Sequence, residues 1–156
     1  MNLLILISFF VLTVFNYAEY PWVVSNIKAH DAAIKNELNN AVNQYKKSNE
    51  ILKNESKYKR VELLLNEIRV MRFNCLAGKQ VSVEKLVEFA MRIGDYYDPL
   101  QIKLFDELYN LCFELYRSKQ YKSCWWLLQR VQKIYLNSHD TQQLQSLKMM
   151  RISLQD

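Results

Sequence analysis

The sequence predicts an all-α protein, with an N-terminal transmembrane helix followed by a bundle of about six helices paired as hairpins. Three observations predict it. The 156 residues include only 2 Gly and 2 Pro, too few for the tight turns of an all-β fold. Apolar residues in the body recur at three- and four-residue steps, the period of a helix. The opening residues are almost wholly apolar, as a bilayer span requires. A hydrophobic fraction of 50% beside 24% charged residues marks a folded chain, and the length gives room for a single core.

Residues 3–15 are apolar apart from Ser8 and Thr13. A helix over residues 3–24 would extend ~33 Å, close to the hydrocarbon thickness. Tyr17, Tyr20 and Trp22 then fall where an interfacial aromatic belt belongs. No basic residue precedes the span, while Lys28, Lys35, Lys46 and Lys47 follow it. The positive-inside rule thus places the body on the cytosolic or matrix-like side of a single-pass membrane protein. The competing reading is a cleavable signal peptide with Ala18 at the cleavage site, giving a secreted helical interaction protein. The expected division is 1–27 as anchor (or signal), 28–57 as an amphipathic linker helix and 58–156 as the helical domain.

Over residues 31–53 a narrow stripe of Ile34, Leu38, Val42, Tyr45 and Leu52 predicts one amphipathic helix. The next helix, near 58–76, carries Val61, Leu64, Leu65, Ile68, Met71 and Cys75 on one face. Leu63, Val70 and Phe73 lie off that face, so this helix is expected between two layers. Gly78 follows as a left-handed C-cap, and Ser82 can cap the next helix. Gly94 closes that helix, and Asp98-Pro99 reads as an N-cap with Pro at the first helical position.

Residues 105–138 read FDELYNLCFELYRSKQYKSCWWLLQRVQKIYLNS. This stretch resembles a tetratricopeptide repeat, a 34-residue helix–turn–helix unit. Leu108 takes its large first position, Asn110-Leu111-Cys112 stands in the Asn-Leu-Gly place, and Tyr121 opens the second helix. Cys124 and Val131 occupy small-residue positions, so Cys112 and Cys124 are expected to face each other at the crossing. A last helix over 140–154 would cap the array. The layout is similar to the mitochondrial fission adaptor family, whose members carry a two-repeat cytosolic domain of six helices. Members of that family are anchored at the C-terminus, whereas the apolar segment here is at the front. The resemblance implies a mitochondrial membrane and an adaptor-like role.

The net charge of +5 is spread along the chain, and no nucleic-acid recognition motif accompanies it. Two His and three Cys without a Cys-x-x-Cys spacing argue against a metal site. No nucleophile–base set is brought together by the spacing, so no enzyme, cofactor or small-molecule substrate is expected. The expected function is a non-catalytic, membrane-anchored scaffold, an accessory subunit or adaptor of a membrane protein complex. Its partners would be other protein subunits and the bilayer through residues 3–24. Two surfaces are candidates for those contacts. Helical wheels place Trp126 among Lys122, Arg130 and Lys133 on a polar face, with Trp125 toward the core. Asn66, Arg69, Asn110, Glu114 and Arg117 lie on the first helices of the hairpins and are expected to contribute to a groove or exposed surface.

Overall fold

The computed structural model describes residues 20–54, 60–82, 84–86, 101–135 and 141–154. Regular structure among the described residues is entirely helical. The helices are α1 (Pro21–Ile34), α2 (Leu38–Lys53), α3 (Arg60–Leu76), α4 (Gln101–Arg117), α5 (Tyr121–Tyr135) and α6 (Thr141–Ser153). Residues 84–86 are also helical, after a Ser82 cap whose Oγ accepts from Lys85 N at 3.4 Å. Each helix packs on its neighbours in the chain, and α6 closes the end by touching both α5 and α4.

One motif sets the turns. α1, α3 and α4 each end on a left-handed residue: Asn36 (φ 60), Gly78 (φ 73) and Lys119 (φ 58). The same pair of backbone bonds surrounds each one. At α3, Lys79 N donates to Asn74 O at 2.9 Å and Gly78 N to Cys75 O at 2.9 Å. At α1 the pairs are Glu37 N to Ala32 O and Asn36 N to Ala33 O; at α4, Gln120 N to Leu115 O and Lys119 N to Tyr116 O. These are Schellman ends, which satisfy carbonyls that the helix itself leaves open. The turns recur roughly every forty residues, the spacing of a stacked helical-hairpin array. That spacing exceeds the 34 residues of a tetratricopeptide unit, with α2 and α3 running to 16 and 17 residues.

The turn at Asn36 corrects the sequence reading of one helix over 31–53. The apolar stripe continues through the break, so periodicity alone does not reveal it. Asn tolerates the left-handed region better than most residues, and that was the available signal. The expected linker helix over 28–57 is therefore the end of α1 plus all of α2, and these two helices form the first hairpin. Ala29, Ala32 and Ala41 are buried between them, and small side chains let the axes approach closely.

Among the described residues, two clusters form the core. The larger joins Leu64, Leu65 and Ile68 of α3 to Leu108, Leu111 and Leu115 of α4, Leu127 and Leu128 of α5, and Leu147 of α6. The smaller joins Ala29, Ala32, Ala41, Val42, Tyr45 and Phe73. α3 contributes to both, which explains why its apolar residues do not keep to one face. Cys112 and Cys124 meet at the α4–α5 crossing, where Cys124 Sγ lies 3.5 Å from Cys112 O, and both are free thiols. Tyr121, which opens α5, lies outside this core. It is exposed, with its ring 5.9 Å from that of Tyr116.

Among the described residues no helix is long and apolar enough to cross a membrane. Most of the expected span lies outside the described residues. Its last part, from Pro21, belongs to α1, where Ser48 Oγ donates to Trp22 O at 3.1 Å and so ties that turn to α2. The expected boundaries at Gly94 and Asp98-Pro99 also lie outside the described residues.

Candidate functional site

The first helices of the hairpins share a face. An open groove of about 780 Å³ runs along it. α1 supplies Trp22, Val23, Asn26, Ile27, His30 and Ile34, which recur at the spacing of one helical stripe. α3 adds Arg69, Arg72 and Phe73, α4 adds Glu107, and Tyr45 of α2 reaches the floor from behind.

At the centre is a charged triad. Arg69 Nε donates to Glu107 Oε1 at 2.8 Å, and Arg72 Nη1 donates to Glu107 Oε2 at 2.6 Å. The three side chains are 26%, 22% and 15% exposed, in the order Arg69, Arg72, Glu107. Aromatic rings support both guanidiniums: Arg69 lies 5.6 Å from the Tyr45 ring centroid and Arg72 4.9 Å from that of Phe73. The two rings stack at 6.0 Å with planes 7° apart. Burial raises the Tyr45 hydroxyl above the usual tyrosine range, with Arg69 pulling the other way. Exposed Ile27 and Ile34 give the groove an apolar wall on α1.

Asn66 lies beneath this face and is not on it. It is fully buried, and its Nδ2 donates to Asn26 Oδ1 at 3.0 Å and Ser48 Oγ at 3.1 Å. It therefore fixes α3 against α1 and α2. The wheel placed it beside Arg69 because it could not see the first hairpin covering that side. Arg69 does reach the groove. Asn110 is exposed on α4 one turn beyond Glu107, and farther along exposed Arg117 pairs with half-buried Glu114 at 3.8 Å. Glu107 was not among the candidates from the sequence. A first-helix carboxylate in line with Arg69 and Arg72 was the available clue.

The Trp126 surface is different from the expected one. Trp126 packs against the larger core cluster, while Trp125 is partly buried with the Arg151 guanidinium 5.7 Å from its ring. Lys122 is exposed; the side chains of Arg130 and Lys133 lie outside the described residues. Among the described residues, no α5 side chain lines the groove. No cluster of His, Cys, Asp or Glu among the described residues could hold a metal ion.

No protein-family model, curated protein or solved structure matches the chain. The groove and its chemistry therefore carry the functional argument.

Proposed function

We propose that this chain is a non-catalytic scaffold whose first-helix groove holds a segment of a partner protein. On this reading it serves a membrane complex as an accessory subunit or adaptor. The observation that carries the proposal is the shared face of α1, α3 and α4, which combines exposed Ile27 and Ile34 with a part-buried charged triad. An apolar wall around a few fixed polar groups is the usual make-up of a recognition surface, and stacked hairpins present such faces to helices or extended peptides.

The membrane part of the proposal rests on the apolar run at residues 3–15. With α1 docked from Pro21, a tether over 3–20 would extend ~27 Å, still near a bilayer core. The mitochondrial location stands on the family resemblance alone.

Ile27→Asp tests the groove. Ile27 is 48% exposed, so the change leaves the fold intact. Full-length wild type, purified from gently solubilised membranes, should retain a partner at fixed stoichiometry, and the variant should lose it. A partner held equally by both proteins would place the interface elsewhere. Resistance to carbonate extraction tests the tether, and release into the soluble fraction removes it.

A further inference from the structure

The groove holds more hydrogen-bonding capacity than its own residues use. A guanidinium has five N–H donors in a planar fork. Arg69 and Arg72 each give one to Glu107, and neither makes another hydrogen bond among the described residues. Two cations thus share one carboxylate, leaving one positive charge unneutralised. Tyr45 is only 3% exposed and lines the groove, yet its hydroxyl makes no hydrogen bond among the described residues. The hydroxyl oxygen is not cut off from solvent as Asn49 Oδ1 and Asn66 Oδ1 are, so it can donate to a ligand seated in the groove. Phe73, Val23 and Ile27 surround these groups with apolar surface.

We propose that the groove recognises a partner segment carrying a carboxylate side chain among apolar residues, and that Glu107 is the resident competitor this carboxylate displaces. The proposal deepens the scaffold reading above and rests on it. A carboxylate fits the planar fork of Arg in a two-bond geometry. Its second oxygen can accept from the Tyr45 hydroxyl, while flanking apolar side chains cover Ile27 and Val23. The unneutralised charge disfavours a basic segment. Glu107 keeps two part-buried guanidiniums paired and so avoids the cost of leaving them bare.

The test uses the full chain in detergent and short fluorescein-labelled leucine–alanine peptides whose central residue is Glu, Gln, Lys or phosphoserine. Anisotropy titration should show the Glu peptide binding about tenfold tighter than the Gln peptide, a difference of ~1.4 kcal/mol. Tyr45→Phe preserves the ring stack and should weaken the Glu peptide alone. Arg69→Gln with Arg72→Gln should erase the preference. Glu107→Gln separates recognition from simple structural support. Removing the competitor should tighten the Glu peptide severalfold and leave the Gln peptide unchanged. Melting curves confirm that each variant is folded.

Equal binding of Glu and Gln peptides, or weaker Glu binding by the Glu107→Gln variant, overturns the proposal. A tenfold preference for phosphoserine over Glu overturns it in favour of a phosphate site. If no peptide binds but a partner sensitive to Ile27→Asp is retained, the carboxylate proposal fails and the scaffold reading stands. If neither is seen, the scaffold reading itself fails.

Discussion

Glu107 of α4 is held between two guanidiniums of α3, with Oε1 2.8 Å from Arg69 Nε and Oε2 2.6 Å from Arg72 Nη1. This pairing joins the second hairpin to the third at the point where the groove is deepest in charge. All three side chains are less than a third exposed, so their pairing resists screening more than a surface pair would. Glu107→Gln leaves two adjacent cations with a neutral acceptor. The expected loss is about 1–2 kcal/mol, below the cost for a fully buried pair because water still reaches these groups. Urea unfolding measures it. A variant as stable as wild type would mean the triad contributes only to recognition.

The second junction between these hairpins is Gln120. Its Oε1 accepts from Val81 N at 2.8 Å, and its Nε2 donates to Lys79 O at 3.0 Å and Ser118 Oγ at 3.1 Å. Ser123 Oγ adds a bond to Val81 O at 3.3 Å. One amide thus ties the turn after α3 to the turn after α4. Gln120→Ala should cost about 2 kcal/mol, since several half-buried backbone and side-chain groups lose their partner. Gln120→Glu keeps the acceptor for Val81 N but not the donor for Lys79 O, and should fall between the two. The ordering of the urea midpoints, wild type above Glu above Ala, is the check.

Much of the body was legible in the sequence because hairpin packing writes itself as periodicity. Leu64, Leu65, Ile68 and Cys75 share a face and share a core, and Gly78 marks its cap as an αL glycine should. The first hairpin was not legible. Its close approach is made by Ala29, Ala32 and Ala41, with the polar seam of Asn26, Ser48 and Asn66 alongside, and neither marks the turn at Asn36 that interrupts the apolar stripe. The apolar opening run also drew residues 20–24 toward the membrane reading. In the groove, Arg69 was found from its place on a first helix. Glu107 and Tyr45 were missed because pairing across hairpins has no spacing in the chain.

The Schellman ends make opposite predictions at two positions. Lys119 carries a side chain in the left-handed region (φ 58), where a Cβ costs about 1 kcal/mol. Lys119→Gly should stabilise the protein by about 0.5 kcal/mol, once the extra freedom of Gly in the unfolded chain is subtracted. At Gly78 (φ 73) an added Cβ would meet no atom within 4 Å. Gly78→Ala should therefore cost about 1 kcal/mol from backbone strain alone. Thermal midpoints of the two variants should move in opposite directions. A shared direction would show that the turns are not built alike.

The cysteines set an alkaline limit to stability. Burial pushes Cys75 up to about 11 and Cys124 up to about 12, and raises Cys112 well above the usual thiol range. A thiol exposed by unfolding ionises near its ordinary value, about 8.5. Between that value and the folded ones, the native state holds protons that the unfolded state has released. Linkage then requires stability to fall as pH rises through this window. Below about pH 8 the thiol contribution is complete and flat. The raised Tyr45 hydroxyl adds to the decline at the upper end. Urea midpoints should hold level from pH 7 to 8 and drop steadily from pH 9 to 11. Replacing Cys75 and Cys124 by Ala should make that slope shallower, because two of the three raised thiols are gone. An unchanged slope in the double variant would assign the alkaline loss to the groups that remain, Cys112 and Tyr45.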